Sequence, residues 1–212
     1  MKTRRIAMIS ALAIAWSLAA CSPDEVPTES DTAAIENSND LATRAGAPLF
    51  DDMGEHHHPI TTNDADAQRY FDQGVIIDCA FNHAESVRSF KAAQTLDPEC
   101  AMCFWGEALA LGPNINVTSN GKVVMSDDER RRAYAAIQKE LALKSQVSEA
   151  ERDYIDALAT RYSGDPSTPR EPLDEAYENA MRQLHQKYPG DDDAASLFAE
   201  SMMNTMPWDY WL

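Results

Sequence analysis

Three adjacent histidines, His56-His57-His58, stand beside Met53 and Glu55, and a fourth, His83, follows a turn residue. Neutral imidazole and thioether suit copper or zinc, so this segment is a candidate site for either ion, with His83 as a further ligand. Adjacent histidines cannot all point at one centre, and no second Cys/His cluster at fixed spacing accompanies them. The competing reading is a structural loop docking on the first helix, with His83 capping the second. A second constellation is Cys100-x-x-Cys103 at the start of a predicted helix. There the helix dipole lowers thiolate pKa and one turn brings the sulfurs together, the geometry of redox dithiols. No thioredoxin-like βαβ pattern surrounds the pair, and both positions fall where helix packing wants small residues. Structural cysteines and thiol redox chemistry therefore both stand as readings.

Other chemistry is missing from the pattern. There is no Gly-rich phosphate loop, G-x-S-x-G elbow or H-E-x-x-H. The carboxylates fall mostly on polar helix faces or near caps, where solvation and capping account for them. No catalytic residue is assigned, and the chain reads as a non-enzyme.

The segment that would direct these groups to their compartment comes first. Lys2, Arg4 and Arg5 precede an uncharged apolar run from Ile6 to Ala20, and Leu18-Ala19-Ala20-Cys21 resembles a bacterial lipobox. Fifteen residues at about 1.5 Å each span roughly 22 Å, short of a hydrocarbon core near 30 Å. Residues 1–20 are therefore expected to be a cleaved lipoprotein signal, with Cys21 as the lipid attachment site. Ser22 after the cysteine implies delivery to the outer membrane, facing the periplasm. Removing residues 1–20 takes three basic and no acidic residues from 18 and 35, which leaves a formal charge of −20. So acidic a surface repels phosphates, argues against nucleic acid and anionic headgroups, and favours basic partners. With Cys21 assigned to lipid, Cys79, Cys100 and Cys103 leave an odd count in an oxidising compartment.

Residues 21–50 are rich in Pro, Ser, Thr, Asp, Glu, Asn and Ala, with almost no aromatics, and are expected to form a disordered tether. Residues 51–212 form the folded domain. From Asn63 onward the pattern is helical, without runs of alternating β-branched residues. Seven helices are expected: Asp64 to Ala80, His83 to Leu96, Glu99 to Gly112, two opened by the capping boxes Ser126/Glu129 and Ser148/Glu151, one from Pro172 to Tyr188, and one after Asp191-Asp192-Asp193.

Residues 67–100 fit one 34-residue tetratricopeptide helix pair: Tyr70 at the first aromatic position, Gly74 and Ser86 at small ones, Phe90 as the knob, Ala93 at the close contact and Pro98 at the end. Shifting by 34 residues maps Tyr70 to Phe104 and Gly74 to Ala108, but Ser86 to Asn120 beside Gly121, so the second unit is degenerate. Beyond the repeat, the chain resembles a group of exported bacterial tetratricopeptide proteins. The resemblance rests on His57-His58-Pro59-Ile60-Thr61-Thr62, Tyr70-Phe71-Asp72-Gln73-Gly74, Phe81-Asn82-His83, Trp105-Gly106 with Gly112-Pro113-Asn114-Ile115-Asn116, and Pro207-Trp208-Asp209-Tyr210-Trp211. It implies an all-α, tetratricopeptide-like helix-turn-helix solenoid. It also implies further helix pairs beyond Leu212, so the domain is expected to be incomplete at its C-terminus. Self-association through the apolar Met202, Met203, Met206, Trp208, Tyr210, Trp211 and Leu212 is the corresponding expectation.

In such a solenoid the first helix of each pair lines a concave groove. Here that places Gln68, Phe71, Asp72, Val75 and Asp78 in it, with Cys79 at its edge, continued by Trp105 and Leu109. Phe71 and Val75 stand where carboxylate-clamping members have Lys and Asn, so the groove suits an apolar or basic peptide better than a terminal carboxylate. The alternative is that Phe71 and Trp105 are core. The leading functional expectation is a lipid-anchored adaptor holding a protein or peptide partner at the cell envelope. Copper or zinc handling by the histidines and thiol redox activity at Cys100 and Cys103 are the alternatives.

Overall fold

A computed structural model of the chain describes residues 38–116 and 125–206. The expected signal, Cys21 and the aromatic residues of 207–212 lie outside these. The described part is all-helical. Residues 38–45 form α1, followed by α2 (Ala65–Cys79), α3 (His83–Leu96), α4 (Ala101–Leu111), α5 (Asp127–Leu143), α6 (Glu149–Ala159), α7 (Arg170–Lys187) and α8 (Asp192–Thr205), with one 3₁₀ turn at Lys144–Gln146. Among the described residues no helix is long and apolar enough to cross a membrane.

Local chemistry sets the boundaries. Asp64 caps α2 by accepting from the backbone N–H groups of Asp66 and Ala67. Ser126 with Glu129, and Ser148 with Glu151, form reciprocal capping boxes at α5 and α6. Asp191 caps α8 through the N–H groups of Asp193 and Ala194. Pro169 precedes α7, which carries Glu171 in its first turn and His185 and Lys187 in its last, matching the macrodipole.

Helices adjacent in the chain pack on one another from α2 through α8, and α4 also touches α2 and α6. The contact of α2, α3 and α4 is organised by Phe90, which is fully buried. A Cβ added at Gly74 of α2 would lie 2.7 Å from the Phe90 ring, and one at Gly106 of α4 only 2.2 Å. Two glycines therefore bring both helix backbones onto one aromatic face. Ser86 secures the pair by donating to the Gly74 carbonyl at 2.8 Å.

On the far side of α2 a smaller core gathers Leu41, Ala45, Ala47, Ala67, Tyr70, Ala92, Ala93 and the Cys100–Cys103 disulfide. Residues 38–50, assigned from composition to the disordered tether, thus include a helix with Leu41 and Ala45 buried. Only two of its apolar side chains dock, too few to leave a recognisable stripe in the sequence. Both cysteines are fully buried, and Cys100 Sγ accepts from the Cys103 N–H at 3.1 Å. Buried in this core, the disulfide is closed to an attacking thiolate in the folded chain. Cys79 is free and exposed.

Candidate functional site: a strap, a histidine–carboxylate cluster and an aromatic cavity

Between α1 and α2 the chain runs as a strap whose backbone is held by side chains. The Tyr70 hydroxyl donates to the Ala47 carbonyl at 2.6 Å. The Gln73 amide accepts from Phe50 N–H at 2.7 Å and donates to the Pro48 carbonyl at 3.1 Å. Gln68 accepts from Ile60 N–H at 3.0 Å and donates to the His58 carbonyl at 2.9 Å, while Asp72 accepts from His58 N–H at 3.1 Å. Farther along, Thr61 gives both its N–H and its hydroxyl to Glu151, at 2.5 and 2.6 Å. Thr62 Oγ1 and Asn63 N–H both donate to Asp97. Burial alone would raise the pKa of Asp97 and Glu151, yet these bonds outweigh it and hold both carboxyls below their ordinary values.

The strap brings His57 to Asp72 and both His56 and His58 to Asp193, while His83 begins α3. His57 Nδ1 lies 2.8 Å from Asp72, and His83 Nδ1 lies 2.8 Å from Asp78. His58 Nδ1 reaches Asp193 at 2.6 Å, across 135 residues of sequence, and His56 Nε2 stands 3.5 Å from the other oxygen of the same carboxylate. Burial would lower the His58 pKa, but the Asp193 hydrogen bond and the charges of Asp193, Asp191 and Asp72 outweigh it and hold it above its ordinary value. For His83 the Asp78 hydrogen bond is the main effect and likewise raises the pKa.

Beneath the His58–Asp193 pair lies a cavity of about 270 Å³ between α2, α4, α6 and α8. Its wall is a run of ring contacts. Phe71 meets Phe90 at 5.5 Å and Trp105 at 6.3 Å, Trp105 meets Tyr154 edge-on at 5.7 Å, and Tyr154 meets His58 edge-on at 5.4 Å. The Trp105 indole N–H is tied to the Tyr154 carbonyl at 3.2 Å. Val75, Leu109, Leu197 and Met203 add to the apolar lining, with Asp78, Asp193 and Glu200 also facing the cavity.

Deeper polar groups are incompletely paired. Arg161 is 1% exposed, donates to the Pro113 carbonyl at 2.6 Å and stands 3.5 Å from Glu200 and 4.4 Å over the Tyr177 ring. Its Nε and Nη1 have no hydrogen-bond partner among the described residues, nor do Glu200 Oε2 and His83 Nε2. Burial pushes the Glu200 carboxyl up, against the opposing pull of Arg161. At the rim, Phe81 is exposed and holds φ of 62°, a left-handed conformation that costs a bulky residue about 1–2 kcal/mol.

Of the groove positions expected from the sequence, Phe71, Val75, Asp78, Trp105 and Leu109 line this cavity, as does Cys79, whereas Gln68 and Asp72 hold the strap. Phe71 and Trp105 are also core residues, 0% and 4% exposed, so they form a wall without being surface contacts. Sequence reasoning missed Tyr154, Arg161, Asp191, Asp193 and Glu200. The aspartates were legible only as a helix start, and nothing local marks the others.

Comparison of the chain with protein-family models, with curated proteins and with solved structures finds no match in any of the three.

Proposed function

We propose that this chain is a lipid-anchored, tetratricopeptide-like binding module of the cell envelope whose cavity receives an apolar side chain of a protein or peptide partner. The observation that carries the reading is an aromatic-walled cavity of about 270 Å³ with a few charged groups at its rim and floor, the usual constitution of a binding pocket. Support for the repeat class comes from the α2/α3 pair, where Gly74, Ser86 and Phe90 interlock at the positions the repeat consensus assigns. The strained, exposed Phe81 at the rim fits a contact residue. Asp78, Asp193 and Glu200 favour basic residues flanking the apolar anchor. The envelope location rests on the sequence of residues 1–21 alone.

Calorimetric titration of the full-length protein with peptides carrying one leucine or phenylalanine between lysines tests the binding. Saturable heat is expected, weakened at least tenfold by Val75→Asp or Leu197→Asp and unaffected by Lys139→Ala on α5. Failure of the whole series to bind, or binding indifferent to both cavity substitutions, would remove the proposal. Fractionation tests the anchor separately: Cys21→Ser should release the protein from the membrane, and persistent tight attachment of a processed variant would refute lipidation.

A further inference from the structure

We propose that His58, Asp191 and Asp193 form a binding site for one divalent transition ion of the zinc class, with His56 as an additional ligand. The inference does not rest on the partner-binding reading.

His58 Nδ1 and one oxygen from each aspartate lie within 4.8 Å of one another, although the histidine and the aspartates come from segments more than 130 residues apart. Imidazole nitrogen with two carboxylates is a donor set for borderline ions, whereas magnesium and calcium take oxygen alone. With bonds of about 2.0–2.1 Å, a tetrahedral zinc site separates neighbouring donor atoms by about 3.3 Å. The present 2.6 Å between His58 Nδ1 and Asp193 Oδ2 therefore has to open by less than 1 Å.

The ligands are also aimed by their surroundings, as outer-shell partners aim metal ligands. Asp191 is fixed by the N–H groups of Asp193 and Ala194, both at 3.0 Å, and by the Tyr154 hydroxyl at 2.8 Å. His58 is fixed through its backbone by Gln68 and Asp72. Among the described residues no lysine or arginine forms an ion pair with Asp191 or Asp193, and the partners of Asp193 are the His56 and His58 imidazoles. An open cleft of about 820 Å³, lined by His56, His58, Asp191 and Asp193, gives an ion a path in. His57 and His83, paired with Asp72 and Asp78, stay outside the set.

Titration of the full-length protein with Zn(II), in a Cys79→Ser background to remove the exposed thiol, reads the site. One saturable zinc per chain is expected. His58→Gln and Asp193→Asn should each weaken it at least tenfold, Tyr154→Phe by about tenfold through Asp191, and His57→Ala by less than twofold. Zinc binding that survives both ligand substitutions, no saturable binding, or binding of Ca(II) in preference to Zn(II) would each overturn the proposal. Because ligand variants can also perturb the strap, Cu(II) electron paramagnetic resonance on the protein with His56 and His58 intact provides a second reading. Nitrogen hyperfine structure supports the site, and an oxygen-only spectrum overturns it.

Discussion

Phe90 and Arg161 are equally buried, but their surroundings obey different rules. Around Phe90 three helices meet on glycine backbones and an aromatic ring, and Ser86 is hydrogen-bonded. Around Arg161, where the end of α6 meets α7 and α8, a guanidinium, Glu200 and Tyr177 are packed together with several polar atoms left unpaired. In α8 the buried residues are Ala194, Ser201 and Asn204, none of them bulky and apolar. Unpaired buried polar groups cost about 1–3 kcal/mol each, so the second region gives up stability that the first gains by packing. The cavity lies between the two: Phe71 and Trp105 belong to the packed side, Arg161 and Glu200 to the polar side. A wall fixed by packing and a floor with unpaired hydrogen-bonding groups are the two features on which the proposed binding function rests.

The largest effect should come from Phe90→Ala. Truncating this knob removes about 3–5 kcal/mol, and calorimetry should show the thermal midpoint falling by roughly 10 °C. An unchanged midpoint would mean that the glycine contacts do not organise the α2–α4 junction. Next is Gly106→Ala, whose Cβ would sit 2.2 Å from the ring. Overpacking costs about 1–3 kcal/mol, more than the roughly 1 kcal/mol that alanine gains in a helix. Gly74→Ala, with 2.7 Å available, should cost less. Phe90→Leu should relieve both, and denaturation of the double variants would expose the coupling.

By contrast, replacing buried Arg161 and part-exposed Glu200 together, as Arg161→Met with Glu200→Leu, should leave stability within about 1 kcal/mol or raise it, since apolar replacement of a desolvated ion pair is often neutral or stabilising. A loss as large as that of Phe90→Ala would show that the polar region is structural. The strap responds to acid. Asp97 and Glu151 have folded pKa values below their unfolded ones, so their contribution is present above roughly pH 4 and is lost as pH falls through the lowered values. Amide exchange at Thr61 and Asn63, corrected for the intrinsic pH dependence, should rise in that range before α2 exchanges. Simultaneous release of strap and helix would contradict a separately held strap. The smallest effect is expected of Phe81→Gly, which relieves the positive φ and stabilises by about 1 kcal/mol while weakening peptide binding.

What could be read in the sequence was local or periodic. Ser126/Glu129 and Ser148/Glu151 announce their helices because a capping box is complete within four residues. Phe71, Val75 and Asp78 recur at helical spacing, so their common face was legible without knowing what it faced. Gln68 and Asp72 share much of that stripe, yet the strap takes them, and the strap's path depends on Glu151 and Asp97, far along the chain. The pairing of His58 with Asp193 spans 135 residues and leaves no trace in local pattern. Arg161, just past the end of α6, carries no local sign of burial, and Pro113, Tyr177 of α7 and Glu200 of α8 close over it.

The central claim, that the cavity is where a partner binds, is tested most directly by photocrosslinking in cells from a benzophenone amino acid placed at Met203 on the cavity wall, with Lys139 on α5 as the comparison site. The account predicts a discrete adduct from position 203, suppressed by Leu197→Asp, and none from position 139. Equal adducts from both positions, or an adduct at 203 that Leu197→Asp leaves intact, would contradict it.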